Sequence, residues 1–200
     1  MSLSAITPIR LVVLISGNGS NLQAIIDDIT NNNLPAKIVA VISNKADAYG
    51  LERAKIAGIE QRVLPHQDYD TRENFDIALK NLIDSFQPDL IILAGFMRIL
   101  SNEFVEHFSQ KMMNIHPSLL PKYKGLNTHQ RAIDAGDKEH GCSVHFVTPE
   151  LDDGPVILQA KVEVKNTDTA ETLAVRVHEQ EHIIYPEAIR LFAEEKIKTP

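Results

Sequence analysis

Apolar and polar positions along the chain follow two alternating rhythms. Residues 11–15, Leu-Val-Val-Leu-Ile, are apolar on both faces and predict a fully buried strand. Leu22, Ile25, Ile26 and Ile29 then recur at the three- and four-residue spacing of an amphipathic helix. The pattern continues with a strand over 37–43, a helix over 49–57 stopped by Gly58, and a short strand over 61–64. Asp70 with Glu73 reads as a capping pair for the next helix, whose apolar stripe is Phe75, Leu79, Leu82 and Phe86. Pro88 and Asp89 end that helix, and residues 90–94 predict a fourth buried strand.

A fifth strand is led in by Met112, Met113 and Ile115 and stops at Pro117, which has no N–H for a ladder. Beyond it the pattern changes. Residues 128–135 predict a helix closed by Gly136, and 142–147 alternate like a half-buried strand. A tight acidic loop over 148–155 leads to a strand over 156–164, a spacing that suits an antiparallel hairpin. Asp168 with Glu171 caps a last helical region that Pro186 divides. The expected fold is α/β: a three-layer, mixed, mostly parallel sheet with helices on both faces. One domain over 1–200 is expected, with halves at about 9–110 and 111–200 by size and by the change in pattern. Residues 1–8 read as a loose leader without a targeting pattern.

Composition narrows the class. The chain has 200 residues, 44% hydrophobic and 24% charged, with net charge -7. That charge argues against a general binder of nucleic acid or anionic membrane, though not against an anionic small molecule held by local donors. The single cysteine, Cys142, excludes an internal disulfide and suits a reducing cytoplasm. Cys142 itself reads as a small buried residue. The early apolar run is far too short to span a membrane.

Ligands of parallel α/β sheets gather at the carboxyl ends of the strands. Three stretches fall there: the loop 16–21, the segment 95–100, and Asn114 with His116. In the first, a strand, a glycine loop and a helix follow one another, the arrangement that presents free N–H groups to an anion; a tight turn that binds nothing is the alternative. A dinucleotide fingerprint is excluded, because Leu22 occupies its last position and the next strand ends at Asn44 without an acid. A P-loop is excluded by the absence of Gly-Lys-Ser/Thr. Asn114 and His116 share a strand face. A carboxamide can donate to a developing oxyanion and an imidazole can move a proton near neutral pH. The plain alternative is a core histidine beside a turn-forming asparagine. Asp152 lies in a loop where aspartate is common for conformational reasons alone. His145 either faces the cleft with Ser143 or is structural. His178-Glu179-Gln180-Glu181-His182 satisfies H-E-x-x-H, a zinc pattern, but no third ligand stands at a familiar spacing, so no metal is expected.

Five stretches carry a family resemblance: residues 15–22, 94–100, 114–122, 140–141 with 143–147, and 151–152 with 154–157. On these the chain resembles the folate-dependent formyltransferases, and within them the enzymes of purine biosynthesis that act on glycinamide ribonucleotide. The Asn-x-His-x-Ser-Leu-Leu-Pro element is common to the superfamily, while Gly-Asn-Gly-Ser-Asn-Leu points to the ribonucleotide. The resemblance implies a mixed sheet with a nucleotide-binding-like first half. It implies a catalytic set of Asn114, His116 and Asp152, and a phosphate loop of Gly19, Ser20 and Asn21. His178, Glu179, Gln180 and Glu181 would recognise the glycinamide and ribose. Met97, Arg98, Ile99 and Leu100, with Asn114 and with Thr148, Pro149, Glu150, Leu151 and Asp152, would form the folate cleft, and Arg72 an outer folate contact. The implied co-substrate is 10-formyltetrahydrofolate, with no metal. The implied partners are two small molecules, with no nucleic acid and no membrane, for a cytoplasmic monomer or homodimer. Asp152 would favour a charged His116, and His116 would protonate the leaving nitrogen. The competing enzymes are a formyltetrahydrofolate hydrolase and a methionyl-tRNA formyltransferase. Each usually carries an extra domain for which this length leaves no room. A non-catalytic folate- or nucleotide-binding module is the competitor from another class.

Overall fold

The computed structural model describes residues 7–31 and 33–197, so the expected leader falls almost wholly outside it. Among the described residues, seven strands form one sheet: β1 Ile9–Ile15, β2 Ala36–Ser43, β3 Gln61–Val63, β4 Leu90–Leu93, β5 Met112–His116, β6 Glu139–Phe146 and β7 Val156–Glu163. Their order is β3-β2-β1-β4-β5-β6-β7. Pairing is parallel from β3 through β5 and antiparallel at β5–β6 and β6–β7. The helices are α1 Ser20–Thr30, α2 Tyr49–Ile56, α3 Arg72–Phe86, α4 Asn102–His107, α5 Thr128–Asp134 and α6 Ala170–Ala193.

Alternation along β1 builds two cores. Leu11, Val13 and Ile15 pack with Leu22 and Ile25 of α1 and Tyr185 of α6 on one side. Val12 and Leu14 pack with Phe75, Leu79 and Ile83 of α3 and Phe104 of α4 on the other. The sheet is thus the middle of three layers. Connections leave β1 toward β2 on one side and reach β4 on the other, so the carboxyl ends of β1 and β4 flank a topological switch point, where such sheets bind ligands.

Several elements differ from the pattern-based expectation. The cap of α3 is Thr71, whose hydroxyl accepts from Asn74 N–H at 3.1 Å; Asp70 and Glu73 do not form the pair. Its buried apolar stripe is Phe75, Leu79 and Ile83, leaving Leu82 and Phe86 half-buried. Helix α4 was not predicted; it is a turn and a half, capped by Ser101 and held by buried Phe104 and Val105. Strand β6 begins earlier than expected and is buried on both faces from His140 onward, because it lies inside the sheet between β5 and β7. The cap of α6 is Thr169, in a reciprocal pair with Thr172. Asp168 instead receives Lys165 N–H and the Arg176 guanidinium.

Pro186 does not divide α6. It removes one helical N–H, but tertiary contacts carry the helix through. Tyr185, fully buried, places its hydroxyl 3.0 Å from the Leu93 carbonyl and 2.9 Å from the Met113 carbonyl, tying α6 to the ends of β4 and β5.

Candidate active site

The glycine loop is held from behind. Gly19 is the N-cap of α1 at φ 74, and no side chain caps that helix, so the first-turn N–H groups face outward unspent. The loop rests on the start of α2: a Cβ on Gly19 would lie 2.7 Å from Gly50 Cα, and Gly50 N–H donates to the Gly17 carbonyl at 3.0 Å. Arg53 donates to the Asn18 carbonyl at 2.9 Å, to Asn18 Oδ1 at 3.0 Å and to Gln23 Oε1 at 3.1 Å. Its guanidinium also lies over the Tyr49 ring at 4.9 Å. A fixed cation therefore sits beside a helix N-terminus, and both favour an anion. Sequence reasoning missed Gly50 and Arg53. A glycine inside a predicted helix, where it costs stability, was the available signal.

Asn21 and α6 close the other side. Asn21 donates from Nδ2 to Glu181 Oε2 at 2.9 Å, and both side chains are buried. Burial pushes the Glu181 carboxyl above its ordinary range, and the Asn21 bond opposes that rise. Asn21 Oδ1 has no partner among the described residues. His178 Nε2 stands 3.8 Å from Glu181 Oε2. Gln180 is half-buried, whereas Glu179 is exposed and within electrostatic reach of Arg176, away from Asn21. The His178 and His182 rings stack with centroids 6.5 Å apart. Among the described residues, no three His, Cys, Asp or Glu side chains are placed to hold a metal ion. Ser20, Gln23, Arg53, His182 and Arg190 line a hollow of about 840 Å³ between α1 and α6.

At the end of β5, four polar side chains converge. Asn114 pairs with His145 across β6, and its Nδ2 lies 3.2 Å from His145 Nε2. His145 Nδ1 lies 2.8 Å from the Phe146 carbonyl. A carbonyl only accepts, so Nδ1 carries the hydrogen and Nε2 is left to accept from the Asn114 amide. Burial lowers the His145 pKa, which keeps the ring in that neutral form. His116 donates from Nε2 to the Tyr123 carbonyl at 2.8 Å and presents Nδ1 to Asp152 Oδ2 at 3.4 Å. Asp152 is also held by Gly125 N–H at 2.9 Å, and its Oδ1 is 3.8 Å from His145 Nε2. Its backbone is left-handed at φ 50, a conformation aspartate tolerates better than most residues. Gly154 lets the 148–155 loop lie flat on β6, since a Cβ there would fall 1.8 Å from the Phe146 carbonyl.

The other strand-face candidates resolve differently. Ser143 turns away from the cleft, donating to the Ser118 carbonyl at 2.6 Å and accepting from Leu120 N–H at 3.0 Å. It shapes the turn after β5. Cys142 packs with Leu173 and Val177, and burial pushes its thiol up to about 12.

In the 97–100 segment, Met97 and Ile99 are exposed, while Arg98 lies over the Phe75 ring at 4.8 Å and Leu100 packs against the α3 core. Thr148 donates to the Glu150 carbonyl at 3.3 Å, and Leu151 is exposed. Pro149 lies between them in the same turn. Arg72 is at the exposed start of α3, one turn before Phe75, and pairs with Glu73 at 3.5 Å.

Residues 9–189 match the family described as formyl transferase. The chain belongs to the formyl transferase family. It is 57% identical over 189 residues to a phosphoribosylglycinamide formyltransferase of Escherichia coli strain K12, covering 94% of this chain and 89% of the relative. The solved phosphoribosylglycinamide formyltransferase of Coxiella burnetii superposes with a TM-score of 0.90 at 56% identity, covering 94% of this chain and 88% of the other. A glycinamide ribonucleotide transformylase from Symbiobacterium toebii superposes with a TM-score of 0.94 at 46% identity, covering 97% and 92%.

As a formyl transferase, the chain needs an acceptor pocket and a donor pocket that meet at a proton-transfer group. The geometry gathers Asn114, His116 and Asp152 at one point, with His145 added. It joins the Gly19 loop to Glu181 through Asn21. It also hydrogen-bonds the 97–100 segment to the end of β1, where Met97 N–H meets Ser16 Oγ at 2.8 Å.

Proposed function

We propose that this protein transfers the formyl group of 10-formyltetrahydrofolate to the amine of glycinamide ribonucleotide. The products are formylglycinamide ribonucleotide and tetrahydrofolate, in purine biosynthesis. The observation that carries the reading is the convergence of Asn114, His116 and Asp152 at the carboxyl end of β5, in a chain 57% identical to an enzyme of that name. The residues present suit both substrates. Unspent N–H groups of Gly19, Ser20 and Asn21, with Arg53 behind them, suit a phosphate. Glu181, with His178 and Gln180 beside it, suits hydroxyl and amine groups. The exposed apolar Met97, Ile99 and Leu151 suit a flat heterocycle, and the backbone of 97–100 and 148–152 offers it donors and acceptors.

The amine of the acceptor forms a bond to the formyl carbon, and the carbonyl electron pair moves onto oxygen. Asn114 supplies the donor for that oxygen, because His145 holds its amide nitrogen in place. The bond from carbon to the donor nitrogen then breaks, and that nitrogen takes a proton while the attacking amine loses one. His116 moves the proton through Nδ1, since its Nε2–H is spent on the Tyr123 carbonyl. Asp152, anchored by Gly125, faces the same nitrogen and balances the charge on the ring. No metal takes part in this scheme.

The reading includes one formyltransferase domain over the chain and a cytoplasmic monomer or homodimer acting on small molecules. Net charge -7 supports the absence of nucleic-acid and anionic-membrane partners. Among the described residues, no helix is long and apolar enough to cross a membrane. The test is donor deformylation followed by absorbance with and without glycinamide ribonucleotide. Consumption only in its presence is expected. Equal consumption in its absence would assign the chain to hydrolysis instead.

A further inference from the structure

The polar contacts beneath the cleft meet at a side chain outside the catalytic cluster. Ser16 follows the last residue of β1 and opens the glycine loop. Its N–H donates to the Gly95 carbonyl at 3.2 Å. Its hydroxyl lies 2.8 Å from Met97 N and 2.6 Å from Asn44 Oδ1. Met97 N–H can only donate and the Asn44 carbonyl oxygen can only accept, so the proton of the hydroxyl points at Asn44 and its lone pair at Met97. Ser16 and Asn44 are 5% and 4% exposed, so solvent does not replace the bond between them. The Asn44 amide nitrogen in turn faces His66 Nδ1 at 3.3 Å. The buried pair therefore fixes the backbone of the 95–97 turn relative to the glycine loop.

We infer that Ser16, oriented by Asn44, is a positioning residue that sets the donor-binding segment 97–100 in register with the acceptor loop. The inference rests on the assignment of 97–100 to the formyl donor made above. Neither side chain touches a reacting atom. The effect passes through Met97 N–H, which the hydroxyl holds in place. Removing the hydroxyl deprives the Met97 N–H of its acceptor and strands the buried Asn44 carbonyl oxygen, and a buried amide without a partner reorients. The backbone bond from Ser16 to Gly95 survives, as does the Gly50–Gly17 bond that holds the acceptor loop. The two substrates should therefore respond unequally.

The test compares Ser16→Ala, Ser16→Thr and Asn44→Ala with the wild type. In Ser16→Ala the donor KM is expected to rise about 5- to 30-fold, the size of effect for stranding a buried hydrogen-bonding group. The ribonucleotide KM should stay within about twofold, because its loop keeps its backbone anchors. Ser16→Thr keeps the hydroxyl and should restore the donor KM. Asn44→Ala frees the hydroxyl to rotate and should give an intermediate donor KM; it carries the test alone if Ser16→Ala does not fold. Amide hydrogen exchange without ligand supplies an independent readout: Met97 N–H should exchange faster in Ser16→Ala while the core strands stay protected. Unchanged exchange at Met97 would show that the hydroxyl does not hold the turn. Faster exchange with an unchanged donor KM, or an equal rise in both KM values, would overturn the positioning role. If the wild type transfers no formyl group, the functional reading fails, and the exchange measurement still decides whether Ser16 holds the turn.

Discussion

Asn114 takes its direction from a neighbour on the next strand. His145 accepts one amide hydrogen because its own hydrogen is fixed on the Phe146 carbonyl, so the amide nitrogen cannot exchange places with the oxygen without losing a bond. Asn114→Ala is expected to lower kcat about 10²- to 10³-fold, the scale of one lost oxyanion donor. His145→Leu should reproduce about a tenfold part of that loss, since the amide remains but its orientation is no longer enforced. Steady-state kcat with both substrates saturating checks the pair, and a His145→Leu enzyme with full kcat would remove the orienting role. The two-residue period of a strand makes Asn114 and His116 legible in the sequence as partners on one face. It leaves His145 and Ser143 open, because both point to the same side of β6. Only the turn after β5 separates them, capturing Ser143 and leaving His145 to the cleft. Asp152 is legible by resemblance alone, since a loop residue carries no periodicity.

Elements are legible where burial imposes a period and poorly so where a side-chain bond decides. The buried strands and α1 follow from apolar spacing. The caps of α3 and α6 are each expected one residue early, because several cap-forming side chains stand side by side and tertiary packing chooses among them. The continuity of α6 through Pro186 is a tertiary effect centred on Tyr185. Tyr185→Phe should destabilise the fold by about 1–3 kcal/mol, the cost of leaving buried carbonyls without their donor. Urea unfolding checks this, and an unchanged midpoint would mean that apolar packing alone holds the helix. The glycine loop gives a second prediction at this scale. A Cβ on Gly50 would lie 2.5 Å from Ile15 Cδ1 and 3.2 Å from Gly19 Cα. The isoleucine end can shift, but the Gly19 backbone cannot. Gly50→Ala should therefore raise the ribonucleotide KM several-fold, roughly the effect of displacing a few backbone contacts, while the donor KM changes less than about twofold. Equal loss for both substrates would indicate general misfolding.

At the scale of the whole molecule, buried and half-buried histidines tie stability to pH. His129 Nδ1 lies 3.1 Å from His140 Nε2, His140 is 1% exposed, and His145 is 2% exposed in the cleft. Burial lowers the pKa of each; at His129 repulsion from His140 adds to it and the value falls from 6.5 to about 4, whereas Asp137 opposes the shift at His140 and the Phe146 carbonyl and Asp152 oppose it at His145. Burial also lowers His182, with repulsion from His178 and Arg53. A histidine of depressed folded pKa binds fewer protons than the unfolded chain does between its folded value and its ordinary one. Stability therefore rises with pH across that window. The full contribution is present above about 6.5 and is lost on acidification, with the His129 share declining down to about 4. Glu181 has the opposite sign, because its raised pKa favours the folded state at acid pH and opposes it as pH rises. Four histidines against one carboxyl make the fall below pH 6.5 the dominant trend. Thermal unfolding followed from pH 7.5 to pH 4.5 should show Tm dropping most steeply below about 6.5, the ordinary histidine value. His129→Gln keeps a polar side chain and removes one titrating ring. Its Tm should fall less over the same range, and a curve parallel to the wild type would show that the His129–His140 contact does not govern the acid limb.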